Sequence, residues 1–398
     1  MSDMQAVILA AGKSTRTYPL TVNRPKHLLK VLDRTILEHT LDQLHGLVDE
    51  VVIVVGFRKD AIIERFGSFY KGMKLFYAEQ KEQLGTGHAL MSAKPFLKDR
   101  FLVIGGEDMF SKQDIAAMSK HKCAILVQKV DDITRFGAVV VEKSKVKEII
   151  EKPATQIDAY ANTAVYMLDK SVFDIELKKS ARGEYELTDY ITALAKKGLV
   201  EYEVVKDYWV SIGYPWQYLE ANVAFLHMMK ESKIDKSAIV EQNVTMKGVV
   251  VIGKNTIIKS GTYIEGPVFI GDDCVIGPNA YLRPDTILMD KVRTRAEIVD
   301  SVLMDSVTAK HCSYIGHSVI GEKTNYAAGC ITADYRHDSG TNKTLVKGLK
   351  VDTGRKKLGA FIGDNVRLGI GTLIYPGRKI WPNQTTMPGQ VVKEDIVD

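Results

Sequence analysis

Apolar residues recur at every sixth position through much of the second half of the chain. Counting from Ile234 gives Val240, Met246, Ile252, Ile258, Ile264, Ile270, Ile276, Leu282 and Leu288, ten positions in one register. A helix repeats at 3.6 residues and a half-buried strand at 2, so neither produces a period of six. A solenoid does. Each six-residue step lays down a short strand and a corner, and the aliphatic side chains stack inside. The register returns at Ile362, Leu368, Ile374 and Ile380. Gly253, Gly271, Gly277, Gly363 and Gly369 each follow the apolar position and predict tight corners. A β-sandwich would space its turn signals more widely.

The first half has a different rhythm. Gln5–Leu9 predicts a buried strand, followed by the loop Ala10–Arg16. Leu37, Leu41 and Leu44 fall on one helical face. Glu50–Val55 predicts a strand ending at Gly56, and Phe101–Ile104 and Ala124–Val130 are further strand-length runs. Leu187, Tyr190, Ile191 and Leu194 mark an amphipathic helix stopped by Gly198. Strands alternating with helices imply a mainly parallel sheet, with ligands at the carboxyl ends of the strands. The boundary is expected in a helix over Trp216–Lys230, giving an α/β domain of residues 1–230 and a solenoid of 231–398. The earlier domain is expected to cap one end of the solenoid.

Composition narrows the class. The 398 residues allow two or three domains, and 45% hydrophobic with 26% charged residues is the balance of a globular protein. A net charge of +5 is mild, giving no argument for nucleic acid or membrane partners, though it suits anionic substrates. Cys123, Cys274, Cys312 and Cys330 lack CxxC or zinc spacing and read as reduced cytoplasmic thiols. No apolar run reaches the ~20 residues of a membrane span. Gln5–Ala11 lacks the basic lead-in of a signal peptide.

Candidate chemistry in the first half centres on Leu9–Val31, LAAGKSTRTYPLTVNRPKHLLKV. A glycine after a strand lets backbone N–H groups approach phosphate oxygens, and Arg16 and Lys26 can neutralise a triphosphate. The spacing is neither a P-loop nor a dinucleotide fingerprint. The whole string, with Pro19-Leu20-Thr21 and Pro25-Lys26, resembles the signature of sugar-1-phosphate nucleotidylyltransferases. EQKEQLGTGHAL over Glu79–Leu90 resembles the uracil-recognising loop of bifunctional N-acetylglucosamine-1-phosphate uridylyltransferase/glucosamine-1-phosphate acetyltransferases. That resemblance implies a Rossmann-like nucleotidyltransferase domain. Arg16 and Lys26 would be catalytic, and Ala10, Ala11, Gly12, Gln80, Gly85, Thr86 and Gly106 would bind nucleotide. Glu151-Lys152-Pro153 and Asn162-Thr163 match the segments that hold the sugar phosphate, and WVSIGYPWQYLEAN over Trp209–Asn222 matches the closing segment.

Two positions depart from the family. It has Gly-Asp after the central strand, the Asp binding Mg²⁺, where this chain reads Gly105-Gly106-Glu107-Asp108, so the metal ligand is Glu107 or Asp108. An Asp of the closing segment is replaced by Ser211, a poor ligand for a hard cation.

The period-six half resembles the left-handed parallel β-helix of hexapeptide-repeat acyltransferases. Lys310–Ser318, KHCSYIGHS, resembles the catalytic strand of the bifunctional enzymes and their archaeal relatives. The match implies that His311 is the general base, since imidazole can take the proton of an amine attacking a thioester. Tyr314 would contact the sugar. His317, one hexapeptide later, is the competitor and is expected to face solvent. Asp334 stands where the family has Asn in a segment that contacts the amino sugar; Asp accepts hydrogen bonds but cannot donate as Asn does. The basic insert Ser339–Lys357 interrupts the register. By the resemblance Lys343 and Lys347 would meet the sugar phosphate, Arg378 a coenzyme A phosphate, and Gly359 and Ala360 would line the pantetheine groove.

The resemblance therefore implies an enzyme using acetyl-CoA, UTP and Mg²⁺ on sugar phosphates, as a homotrimer. Glucosamine and galactosamine 1-phosphate both remain open as acceptor. Two other readings stand beside it, an acetyltransferase with a silent first domain and a non-catalytic regulatory subunit.

Overall fold

The computed structural model describes residues 4–397 and divides the chain into two compact units. The first holds the residues up to Lys13, His27–Leu29 and Thr35–Ser211. The second holds Ser14–Lys26, Lys30–Arg34 and the chain from Ile212 onward.

The first unit is built on a ten-stranded sheet. At its centre Gln5–Ala10 runs parallel to Glu50–Val55 on one side and Arg100–Gly105 on the other, and Glu50–Val55 continues to Met73–Glu79. These strands are buried on both faces. Ala6, Ile8, Val51 and Ile53 enter one core, while Val7, Val52 and Val54 enter the other. Continuous apolar runs are what such doubly covered strands require. The sheet is more mixed than the sequence pattern implies. Tyr160–Asp169 lies antiparallel to both Arg100–Gly105 and Ala124–Gln128, and Gly137–Glu142 forms a hairpin with Lys145–Glu151. Helix Ile36–Leu44 opens on a capping box, in which Thr35 and Glu38 satisfy each other's backbone N–H groups. Helix Leu187–Ala195 is followed by Gly198 in the left-handed region, as expected of a helix stop.

The second unit contains the β-helix. Short parallel strands stack into three ladders, two of eight strands and one of five. Ile252, Ile270 and Leu288 sit directly over one another, 18 residues apart, and every register position from Ile252 to Leu288 is buried. Successive coils then change length. Leu288 stacks on Leu303, Leu303 on Ile320, and Ile320 on Ile362, intervals of 15, 17 and 42 residues. The longest contains an antiparallel hairpin, Lys343–Val346 with Leu349–Asp352. Two expectations need correction. The register's first members, Ile234 and Val240, are exposed, because the opening coil has a stacked neighbour on one side only. Among the five corner glycines only Gly277 has a positive φ. Gly271 serves a different need. A Cβ there would lie 2.6–3.0 Å from Met289 and Asp290 of the next coil, so close stacking is what excludes a side chain.

Within the second unit, Ser14–Lys26 and Lys30–Arg34 are fastened to the coils by ion pairs. Arg24 reaches Glu322 and Asp364, and Lys30 reaches Asp290 and Asp305 at 2.8 and 2.7 Å. Burial alone would lower the Arg24 pKa, but the two carboxylates outweigh it and hold the guanidinium charged. Tyr18 packs edge-on against Trp381, and the Tyr218 hydroxyl of helix Pro215–Met228 donates to the Lys30 carbonyl.

The hairpin is secured from below. Lys379 is buried, its Nζ donates to the Leu345 carbonyl, and burial pushes its pKa down to about 8. Asp395 lies nearby, but its own carboxyl is pushed up by burial, so attraction does not offset desolvation. Between pH 8 and the ordinary value of 10.5 the unfolded chain holds a proton that the folded chain has released. Stability therefore rises with pH through that window. Lys379→Met removes a desolvation cost of about 3 kcal/mol at pH 7 but strands the Leu345 carbonyl at about 1–3 kcal/mol, so any gain in stability over the parent should be smaller than about 3 kcal/mol and should vanish as the pH rises toward 10. Denaturant unfolding at the two pH values measures it.

Candidate functional site

In the first unit, the glycine-loop strand ends between two backbone anchors. Gly106 N–H donates to the Leu9 carbonyl at 3.1 Å, and Phe57 N–H to the Ala11 carbonyl at 3.1 Å. Ala10 and Ala11 are buried, and Gly12 has open space where a side chain would stand. Gly106 has none: a Cβ there would come within 2.4 Å of the Leu9 carbonyl oxygen and 2.6 Å of His27 Nε2. The Gln80 loop is held by its own groups. Gln80 is buried, and its Nε2 lies 3.0 Å from the Gly85 carbonyl and 3.0 Å from His88 Nδ1. Its backbone N–H donates to the Val55 carbonyl and its own carbonyl accepts from Gln83 Nε2, which leaves Oε1 as the side-chain group able to accept a further hydrogen bond. Gly85 has φ +105°, and a Cβ there would strike the Tyr185 carbonyl at 2.5 Å, so the turn into helix Thr86–Ala93 requires glycine. Thr86 Oγ1 accepts from Leu187 N–H, tying this loop to helix Leu187–Ala195.

The sugar-phosphate candidates come together around Gly137. Glu151 is its partner across the hairpin, and Glu151 Oε2 and Asn162 Cβ lie 3.3 and 3.5 Å from the position its Cβ would take. Asn162 sits at a register shift, bonded to Tyr166 and to Ala164 N–H. Lys152 is exposed, with a left-handed backbone. At the metal position Asp108 is buried and pairs in register with Ser211, while Glu107 occupies the turn before it. Among the described residues no group of three or more His, Cys, Asp or Glu could enclose a metal. Mg²⁺ needs only one or two carboxylates when substrate phosphates and water complete its shell, so Glu107 and Asp108 fit it.

Arg16 and Lys26 belong to the second unit. The Arg16 guanidinium lies 5.6 Å from the centroid of the Tyr214 ring, which stacks on Trp216. Lys26 is buried and donates to the Ile212 carbonyl at 2.8 Å.

In the β-helix His311 is exposed on a bend just before strand Tyr314–Gly316. His317 corrects the expectation that it faces solvent. It is 9% exposed, with Nδ1 2.7 Å from Asp300 and Nε2 3.4 Å from Asp334. Tyr314 hydroxyl donates to Asp334 Oδ2 at 2.8 Å. Burial, reinforced by that carboxylate, pushes the phenol pKa up, so it remains a donor. Gly359 N–H donates to the His317 carbonyl, and a Cβ on Gly359 would lie 2.1 Å from the Gly316 carbonyl. Coil stacking thus explains this glycine. Ala360 directs its methyl into the solenoid core, so only its backbone could face a groove. Lys343 and Lys347 are exposed on the hairpin, and Arg378 donates to the Lys343 carbonyl at 3.3 Å. Asp300 was not apparent from the sequence, since it stands in no motif, and Arg355 showed only as one of the charges of the basic insert.

An α/β nucleotidyl-transfer fold followed by a hexapeptide β-helix, each with its own cluster of candidate groups, defines a two-part class of transferase. The nucleotidyl transferase family model matches residues 5–227. The bifunctional protein GlmU of Methanococcus maripaludis is 41% identical over 99% of this chain and 95% of its own length. Its namesake from Methanocaldococcus jannaschii is 38% identical over 99% and 96%. A bifunctional sugar-1-phosphate nucleotidylyltransferase/acetyltransferase of Sulfurisphaera tokodaii is 39% identical over 99% and 98%. Among solved structures, a Bacillus anthracis protein named as a glucose-1-phosphate thymidylyltransferase, crystallised with sucrose, superposes with a TM-score of 0.52 at 31% identity, covering 58% of this chain and 98% of its own. The chain belongs to the nucleotidyl transferase family and, along its whole length, to the bifunctional nucleotidylyltransferase/acetyltransferase proteins within it.

Proposed function

We propose that this chain acetylates glucosamine 1-phosphate with acetyl-CoA and then joins the N-acetylated product to UTP, releasing pyrophosphate. The observation that carries the reading is the near-complete span of similarity to bifunctional relatives, both halves included. On this reading residues 1–230 serve uridylyl transfer and 231–398 acetyl transfer.

In acetyl transfer the sugar amine attacks the thioester carbonyl, His311 takes the amine proton, and coenzyme A leaves as the thiolate. Tyr314 and Asp334 contact the sugar, while Lys343 and Lys347 offer cations to its phosphate. In uridylyl transfer an oxygen of the N-acetylhexosamine 1-phosphate attacks the α-phosphorus of UTP. The Ala10–Gly12 backbone, with Gly106, receives the nucleotide. Gly85, Thr86 and Gln80 Oε1 meet the base, Glu151, Lys152 and Asn162 hold the sugar phosphate, and Arg16 and Lys26 stabilise charge on the leaving pyrophosphate. Glu107 and Asp108 would hold Mg²⁺, which when bound neutralises triphosphate charge. Acetyl-CoA and UTP are cytoplasmic metabolites, and we place the protein there; among the described residues no helix is long and apolar enough to cross a membrane.

A purified sample given acetyl-CoA, UTP, Mg²⁺ and glucosamine or galactosamine 1-phosphate tests both steps, with thiol and pyrophosphate followed separately. Both products are expected with glucosamine. Thiol without pyrophosphate would leave the first domain silent, and neither would favour a regulatory subunit.

Self-association as a trimer is part of the same proposal. Ile331, Leu373 and Val391 stack in one column on successive coils, each about 40% exposed, with Ile370 and Met387 more exposed still. An exposed apolar column of this kind suits burial against other copies. Light scattering should give three times the chain mass for the parent and a smaller particle for Leu373→Glu.

A further inference from the structure

Asp334 sits at the centre of side chains that no motif connects. Its Oδ2 accepts from Tyr314 and stands 3.4 Å from His317 Nε2. Behind His317, Nδ1 contacts Asp300, whose Oδ2 also receives Arg355, and Arg355 in turn lies 3.2 Å from Glu220. The backbone locks the same group. Leu358 N–H donates to the Asp334 carbonyl at 2.8 Å, and Gly359 N–H to the His317 carbonyl at 2.9 Å. The imidazole therefore faces carboxylates on both nitrogens, with the Arg355 guanidinium beyond one of them. Among the described residues Asp334 Oδ1 takes no hydrogen bond.

We propose that His317 is a positioning residue of the acetyl-transfer site. Held by Asp300 and Arg355, it fixes Asp334 so that Oδ1 accepts a hydrogen bond from the amine or a neighbouring hydroxyl of the amino-sugar phosphate. The inference rests on the acetyl-transfer reading above. Its chemical reason is that position 334 holds an Asp, where the resemblance drawn from the sequence implies an Asn. An amide can donate or accept, whereas an ionised carboxylate only accepts, so the substrate group it meets must be a donor. An unpartnered carboxylate beside a sugar phosphate would be unfavourable. Tyr314 donates to Oδ2 and His317 Nε2 stands beside the same oxygen at 3.4 Å, so the pair holds one oxygen of the carboxylate and leaves Oδ1 for the acceptor.

The test combines titration calorimetry with glucosamine 1-phosphate and thiol-release kinetics on His317→Asn, His317→Gln, Asp334→Asn and the double variant His317→Asn/Asp334→Asn. Pyrophosphate release from N-acetylglucosamine 1-phosphate and UTP serves as the folding control. His317→Asn should raise Kd and KM for glucosamine 1-phosphate about tenfold, the size of one hydrogen bond to a charged group, with kcat within about threefold. Gln should recover part of the loss. The double variant should be no worse than Asp334→Asn alone, because the two residues act through one another. Unchanged binding in His317→Asn overturns the proposal. So does multiplication of the two single effects, or a fall in kcat with KM preserved, which would make His317 a proton carrier instead. A parent protein that binds glucosamine 1-phosphate without releasing thiol sinks the acetyl-transfer reading, and the calorimetry then still judges His317.

Discussion

His311→Ala is expected to lower acetyl transfer by about 10²–10⁴-fold, the usual contribution of a positioned general base. Uridylyl transfer should stand at the parental rate. His311 lies on an exposed bend and fills no core position, so its removal leaves the stacked aliphatic interior untouched. The loss should fall on kcat, with KM for glucosamine 1-phosphate little changed, because the imidazole acts on a proton that moves only as the amine attacks. This profile is the reverse of that expected of His317, and the two histidines can be told apart on those grounds alone. Thiol release is the measurement. Retention of more than a tenth of the parental rate would mean that another group takes the proton.

Arg16→Ala should cut uridylyl transfer by about 10²–10³-fold, the effect of losing one fixed donor at developing charge. Arg16 rests against the Tyr214 ring, which is itself stacked on Trp216, so aromatic faces help hold its guanidinium in place. Lys26→Ala should lower the rate comparably but also cost stability. That side chain is buried, and its removal strands the Ile212 carbonyl. Pyrophosphate release, with a thermal melt beside it, separates the two variants. Thiol release from glucosamine 1-phosphate should be unaffected in Arg16→Ala.

Local patterns were the easily read part of this sequence. Glu50–Val55 matches its strand residue for residue, and the helix at Leu37, Leu41 and Leu44 is bounded by a capping box visible in the letters Thr35 to Glu38. The six-residue register works while coils keep 18 residues and fails after Leu288, where they shorten to 15 and then 17. The aliphatic stacking persists there, but its spacing no longer advertises it. Left-handed corners at Asn243, Asn255, Asp273, Asn365 and Asn383 were a further signal, because a short polar side chain tolerates that backbone. Contacts between distant residues left no trace. Arg24 meets partners 298 and 340 residues further along, and His317 meets Asp300 only because a coil of 17 residues brings one corner over the next. No periodicity encodes such pairs, which is why His317 reads as a surface histidine.

The ion pairs of Arg24 bear on how this chain comes off the ribosome. Synthesis runs from the amino terminus, so the segment carrying Arg16 and Lys26 emerges almost at once. The carboxylates that seat it, Glu322 and Asp364, are translated last but for a few coils. The half that is made first is therefore not the half that is finished first. Until the chain has been made past Asp364, Arg24 and the residues beside it lack these two partners.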